Sequence, residues 1–470
     1  MAGFEPAHGG TKNRCLTAWL HPTCLNYVRQ LLDLIQGPII LSHMKVIHVA
    51  SEMHPVAKVG GLADVVHGLS KELIRMGHEV EVILPKYESL LLSHVKDLQK
   101  IDNRWHGKVD HVPVTFLEME DISLKRIYGE PDDPARFIAF CKEAAAYIKK
   151  ADIIHLHDWP TSLLATLTNH KTLLTIHNMQ HQGICAGGIG LPDPILPEKT
   201  NLLRTGIENV DIVTTVSPTY AREILTTQKG CNLQAVLKKK GVIGILNGID
   251  IDWWNPKIDP HLPVHFPPNV TEAKMQNRIA LQKELQMAPP KGKLVAAITR
   301  LDPQKGPALI RAGLHHTLKK GHQFILLGTP STPEMQSAFT LLQKEYADNP
   351  NIHFHFQFDH SLGHKLYAAS DLILIPSIFE PCGLTQMLAM RYGTLPLVRK
   401  TGGLADTVFE KKNGFVFEKP DAVELTNALD RAFSCNDKTW EKLRNNALEK
   451  DFSWTASAKE YLTVYRATLC

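Results

Sequence analysis

DLILIPSIFEPCGLTQ, residues 371–386, contains one structural unit from end to end. Asp371 to Pro376 is a short unbroken apolar run, the pattern of a strand buried on both faces. Pro381 and Gly383 mark a turn, and a helical pattern runs over 384–392. Strand, glycine turn and helix in succession build a parallel α/β sheet. Such sheets bind ligands beyond the carboxyl ends of their strands, which makes the turn at Phe379–Thr385 a candidate site by position alone.

The unit recurs outward in both directions. Further strand candidates in the second half are 294–299 (LVAAIT), 323–328 (QFILLG) and 352–356 (IHFHF). Those in the first half are 45–50 (KVIHVA), 79–84 (EVEVIL), 152–156 (DIIHL), 172–176 (TLLTI) and 211–216 (DIVTTV). Two such sets predict an α/β protein of two doubly wound, Rossmann-like domains, with both sheets parallel and covered on both faces. The Pro-rich stretch 255–270 is the linker candidate, and Trp454, Ala458, Tyr461, Tyr465 and Leu469 predict a closing amphipathic helix over 453–470. The expected boundaries are 44–250 for the first domain, completed by that last helix, and 251–452 for the second. Residues 1–43 lack the pattern and read as an extension outside the fold, with a targeting segment as the rival reading.

Composition narrows the class. A chain of 470 residues, 44% hydrophobic and 21% charged, has ordinary globular values for two domains. Its net charge of +4 is spread along the chain, which argues against nucleic acid as a partner. No apolar run reaches the roughly 18 residues of a membrane span. The 8 cysteines form no CxxC pair and no regular framework, so neither a structural zinc nor a disulfide scaffold is expected, and a reducing, cytoplasmic setting is the natural reading.

The loops after the strands carry the candidate chemistry, each beside a bland alternative. SEMHPVAKVGGLADVV (51–66) offers Lys58, the close backbone approach allowed by Gly60 and Gly61, and a helix start that favours an anion. Its alternative is a tight turn with a solvated lysine. Neither GxGxxG nor GxxxxGK[ST] is present, so dehydrogenase and kinase readings lose their main support. His155, His157, Asp158 and Trp159 suit a sugar site, a metal pair or simple packing. His177 and Asn178 end the next strand, where Asn178 either meets hydroxyls or caps a turn. Arg300 and Lys305 flank a turn as a diphosphate clamp or as solvated cations. Glu380 precedes the amides of Gly383, Leu384 and Thr385, which face phosphate oxygens if a ligand is present. Cys382 has no base beside it and reads as packing. Asp250 and Asp252 form a DxD pair, here more consistent with a turn than with a metal. Lys-x-Gly-Gly-Leu-Ala-Asp occurs twice, at 58–64 and 400–406.

Taken in order, these motifs resemble the bacterial-type glycogen and starch synthases that use ADP-glucose, a family with the GT-B fold of two Rossmann-like domains facing a cleft. The matching segments are Lys58–Asp64, His157–Trp159, Thr175–Gly183, Val216–Glu223, Leu246–Asp250, Arg300–Gly306, Phe379–Gln386 and Tyr392–Val408. The last two are the most specific. The resemblance implies retaining transfer of glucose from ADP-glucose to an α-1,4-glucan, with the acceptor in the first domain and the nucleotide sugar in the second. It assigns Lys58, Arg300 and Lys305 to the diphosphate and Gly60 and Gly61 to the phosphate-facing loop. Glu380, Gly383 and Leu384 fall to the transferred glucose and Thr385 to phosphate. His177 falls beside the anomeric carbon, and Asp64, Asp158, Asn178 and Asn201 line the sugar and acceptor side. Phe358 stands where the family often has a base-stacking Tyr. Two departures accompany the match: KVGGL replaces the commoner KTGGL, and the stretch 100–150 is short, its acceptor-loop pattern reduced to Tyr128–Phe137. No convincing carboxylate nucleophile is implied, so front-face internal return is the expected mechanism, without a metal or other cofactor because lysine and arginine neutralise the leaving group. UDP-glucose is the alternative donor, as in sucrose-synthase-like enzymes, and a non-catalytic glucan-binding protein of the same fold is the rival of a different class.

Overall fold

The computed structural model describes residues 43–119, 124–186, 199–266 and 270–469. The N-terminal extension expected over 1–43 lies, but for His43, outside the described residues. The first sheet has 9 strands in the order Ile243–Gly244, Ile212–Thr215, Thr172–Ile176, Ile153–His157, Lys45–Val49, Glu79–Pro85, Val112–Leu117, Arg104–Val109, Lys96–Ile101. The second has 6, all parallel, in the order Ile352–His355, Gln323–Pro330, Leu294–Leu301, Leu372–Ile375, Leu395–Arg399, Phe415–Phe417. Every strand expected from the sequence is in one of these sheets. Both are doubly wound: the strand order reverses direction across Lys45–Val49 in the first and Leu294–Leu301 in the second.

One expectation fails in part. The first sheet is not parallel throughout, because Arg104–Val109 runs antiparallel to both its neighbours, Val112–Leu117 and Lys96–Ile101. The two outer strands, KDLQKI and RWHGKV, are mostly polar and exposed or half-buried, unlike a strand buried on both faces. Inside the sheets the contrast is plain: Leu372–Ile375 and Ile153–His157 are buried at every position.

The last helix, Trp454–Leu469, lies on the first sheet although it follows the second in sequence. Trp454, Ala458, Tyr461 and Tyr465 pack with Met44, Val65, Leu69 and Ile153 in one apolar cluster. Burying each aromatic ring contributes about 2–3 kcal/mol. A Cβ at Gly68 would lie 2.0 Å from the Trp454 indole nitrogen, so only glycine admits this approach. Tyr465 also donates or accepts a 2.8 Å hydrogen bond with the buried His155 ring. None of the described helices is long and apolar enough to cross a membrane.

Candidate active site

The carboxyl ends of both sheets open onto one cavity of about 780 Å³. Its wall includes Lys58, Gly60, Gly61, Asp64, Asp158, His177 and Asn178 from the first sheet's loops. Arg300, Lys305, Glu380, Gly383, Leu384 and Thr385 come from the second. Thirteen of the fifteen residues to which the resemblance assigns a role are therefore brought together. The other two are not. Asn201 caps the helix Leu202–Asn209, its side-chain oxygen accepting from the Arg204 amide while its amide nitrogen donates to Gln182. Phe358 is 79% exposed and touches His360, with ring centroids 6.4 Å apart, rather than the cavity wall. A solvated ring on a loop is free to stack, but in this structure it stacks on no ligand-facing surface.

Every candidate phosphate-binding cation holds a carboxylate. Lys305 Nζ is 2.6 Å from Glu380 Oε2, an oxygen that also accepts from Ser377 at 2.9 Å. Lys58 pairs with Asp64 at 2.7 Å, and Arg300 with Asp302 at 3.5 Å. Asp302 caps the short turn Pro303–Lys305, which delivers Lys305 to the cavity. Gly383 has φ of 76°, a left-handed conformation that swings the chain from Glu380 into the helix Thr385–Arg391. The amide end of that helix faces the cavity, where it favours an anion.

On the opposite wall, Asp158 sits at φ of 58° and accepts from the amides of His177 at 2.6 Å and Asn178 at 3.4 Å. Burial pushes its carboxyl up to about 7, against the pull of those two amides. Asp158 thus shapes the strand exit as well as lining the cavity. The His177 ring bonds His157 at 3.1 Å, and His157 bonds His48 at 3.0 Å. Burial pushes His177 and His48 down to about 3, so the chain of imidazoles is neutral at pH 7. The HxHD metal-pair reading finds a third ring here in His48, but the nitrogens that face one another are already hydrogen-bonded, and His155 bonds Tyr465 and Thr175. Asp250 is likewise committed, to Lys71 and to the amides of Asp252 and Trp253, which is the turn reading of the DxD pair.

Sequence reasoning missed Glu52. It is 3% exposed, and it accepts from the amides of Val59 at 2.6 Å and Gly60 at 2.8 Å and from the Tyr128 hydroxyl at 2.8 Å. The glycine loop is therefore held in shape by a carboxylate behind it, which takes two of the amides that an anion was expected to meet. Its only sequence signal is its place at the first strand exit. That Val59 and Gly60 fold back onto it is a tertiary fact. Gln304, Asn247 and His181 also line the cavity and were not foreseen.

Two Rossmann-like units whose strand ends converge on a cavity lined by lysine, arginine and a glycine-opened helix define a glycosyltransferase of the GT-B class. The starch synthase catalytic domain family matches residues 45–239, and glycosyl transferases group 1 matches residues 280–450. The chain belongs to the glycogen and starch synthase family. It is 40% identical to the glycogen synthase of Protochlamydia amoebophila, over 90% of this chain and 99% of that one. It is also 40% identical to probable starch synthase 4 of Arabidopsis thaliana, over 92% of this chain and 48% of that longer one. Among solved structures it is similar to the catalytic domain of starch synthase IV from Arabidopsis thaliana bound to ADP and acarbose. That match has a TM-score of 0.85 at 39% identity and covers 91% of this chain and 100% of that one. Sucrose-phosphate synthase from Thermosynechococcus elongatus, 21% identical with a TM-score of 0.64 over 90% of this chain and 98% of that one, shares the fold.

Proposed function

We propose that the enzyme transfers glucose from ADP-glucose to the non-reducing end of an α-1,4-glucan with retention of configuration. The observation that carries this reading is the set of displaceable carboxylates on the cavity's cations. A diphosphate entering the cavity replaces Glu380 on Lys305, Asp64 on Lys58 and Asp302 on Arg300. The exchange at Lys305 has a second consequence, because it frees a Glu380 oxygen next to the place where the sugar must lie. Glu380 then accepts from sugar hydroxyls while Gly383, Leu384 and Thr385 present amides and a hydroxyl to the ligand.

The anomeric C–O bond to the diphosphate breaks first, leaving positive charge on the ring and negative charge on the β-phosphate. The acceptor 4-hydroxyl attacks from the same face, forming the new C1–O4 bond, and its proton passes to the departing phosphate oxygen. Lys58, Arg300 and Lys305 stabilise the leaving group, and His177, neutral through its burial, offers a dipole rather than a repelling charge to the cationic ring. Asp64, Asp158 and Asn178 position the sugars. Arabidopsis starch synthase IV, bound to ADP and acarbose, supports both adenine as the base and a glucan as the acceptor. A cytoplasmic setting belongs to the same reading.

Incubating the protein with radiolabelled ADP-glucose or UDP-glucose and glycogen tests the reading. Label enters the glucan from ADP-glucose at least tenfold faster. Preference for UDP-glucose would overturn the choice of base, and no transfer from either would leave a glucan-binding protein.

A further inference from the structure

Three histidines at the junction of the linker and the second sheet play no part in the chemistry above. His360 and His364 are one turn apart on the helix His360–Ala369, so their side chains share a face. His261 approaches from the linker segment. One nitrogen from each ring lies within 4.8 Å of the other two. The ring centroids are 4.6 Å apart for His360 and His364 and 4.7 Å for His261 and His364.

The state of His364 is the telling part. It is 1% exposed, and its Nδ1 donates to Asp259 Oδ2 at 2.6 Å. Asp259 is itself fixed, because the Tyr392 hydroxyl donates to the same oxygen and the His261 amide to the other. With Nδ1 committed to the carboxylate, Nε2 is the ring's remaining ligand atom, and that buried atom has no hydrogen-bond partner. A carboxylate behind one nitrogen and an open lone pair on the other is the arrangement by which a histidine ligates zinc. The Trp254 ring, stacked on His364 at 3.9 Å, locks the imidazole plane. His48, His155 and His157 form the other close histidine group among the described residues, and there the facing nitrogens bond one another or Tyr465 and Thr175. In that group five of the six ring nitrogens are hydrogen-bonded and only His48 Nε2 is open, whereas the open nitrogen of His364 belongs to a ring with a carboxylate behind it.

We propose that His261, His360 and His364 bind one divalent transition ion of zinc's class, outside the catalytic cavity, with water as the fourth ligand. Tetrahedral zinc with bonds of about 2.0–2.1 Å needs its nitrogens about 3.3 Å apart. The half-buried His261 and His360 rings supply the closing movement by rotating toward the fixed His364. Imidazole sets of this kind select zinc, cobalt, nickel or copper over magnesium and calcium, which prefer oxygen. Because His261 belongs to the segment joining the two sheets, the ion staples that segment to the helix that follows Phe358.

The test uses full-length protein stripped with chelator and titrated with Co²⁺, then with Zn²⁺. Wild type shows the visible bands of tetrahedral Co²⁺, with tryptophan quenching from Trp253 and Trp254, and Zn²⁺ displaces the cobalt. His261→Asn and His360→Gln each lose that one equivalent, or bind it at least 100-fold more weakly, while glucosyl transfer in chelator stays within twofold of wild type. Equal stoichiometry and affinity in wild type and both variants would overturn the proposal. X-ray absorption at the zinc edge of wild-type protein needs no variant: three imidazoles and no sulfur support the site, and sulfur scattering or fewer than three imidazoles refutes it.

Discussion

The heptads Lys58–Asp64 and Lys400–Asp406 differ at one position, Val59 against Thr401, yet the fold uses them in opposite ways. In the first, a Cβ at Gly60 or Gly61 would meet nothing within 4 Å, and Lys58 and Asp64, both on the cavity wall, pair with one another. In the second, a Cβ at Gly402 would lie 1.8 Å from the Glu380 carbonyl oxygen and one at Gly403 2.2 Å from that of Cys382. Lys400 points away, to an exposed pair with Glu418. Asp406 accepts from the Thr219 amide at 2.7 Å and its hydroxyl at 2.6 Å, joining the first sheet's helix Pro218–Glu223 to the second half. Identical glycines thus keep space open for a ligand in one copy and let backbone press on the Glu380 loop in the other. A motif states what a chain is able to do locally; what it faces decides the rest.

The sharpest way to break this contrast is to add one methyl to each copy. Gly402 has φ of 45°, where alanine costs about 1–2 kcal/mol in backbone strain, and overpacking against Glu380 adds about 1–3 kcal/mol. Gly402→Ala therefore lowers stability by about 2–5 kcal/mol in denaturant unfolding and, by shifting Glu380, abolishes most turnover. Gly61→Ala, at a helical position with open space, leaves stability unchanged or higher by up to about 1 kcal/mol. Its loss is in activity, read as a raised KM for the nucleotide sugar. A Gly402→Ala protein as stable and active as wild type would sink the packing role assigned to the second copy.

The lysines come next. Losing one preorganised donor to a developing charge costs about 100-fold or more in turnover, so Lys58→Ala and Lys305→Ala each fall by at least that factor. Lys400→Ala stays within about twofold, because its pair with Glu418 is exposed and contributes about 0–1 kcal/mol. Steady-state kinetics on the three variants decide the matter, and near-normal turnover in Lys305→Ala removes the clamp. The aspartates follow with effects on stability. Asp406→Ala leaves the Thr219 amide unpaired at a cost of about 1–3 kcal/mol. Asp64→Ala breaks a half-exposed pair and costs under about 1 kcal/mol. Equal losses in thermal unfolding would erase the distinction between the copies.

Most of the fold was legible because buried parallel strands such as Leu372–Ile375 announce themselves as unbroken apolar runs. The strands Lys96–Ile101 and Arg104–Val109 were not, since a solvated edge carries polar side chains and little periodicity. At the site, residues on strand exits were found because the fold fixes where exits point. Glu52 escaped because its role depends on amides 7 and 8 positions downstream returning to it. Asn201 and Phe358 came from the resemblance rather than from position, and both lie off the cavity wall. The three histidines around Asp259 were invisible for a related reason: His261 is about a hundred residues from the helix it approaches.

A small effect is expected at Cys382 as well, which lies where the second heptad presses on the Glu380 loop. The thiol lines the cavity and stands next to the candidate catalytic glutamate's loop, so it invites a nucleophile's role. Its environment refuses one. The residue is 4% exposed, burial pushes the thiol up to about 12, and the fraction present as thiolate at neutral pH is negligible. No histidine bonds it, and the backbone amide of Asn247 donates to it. A serine hydroxyl accepts that same hydrogen bond in slightly less space, which limits the cost to about 1 kcal/mol. Cys382→Ser therefore keeps kcat/KM within about threefold. Inactivation of the serine variant with its fold intact, measured by circular dichroism beside the transfer assay, would return the sulfur to the chemistry.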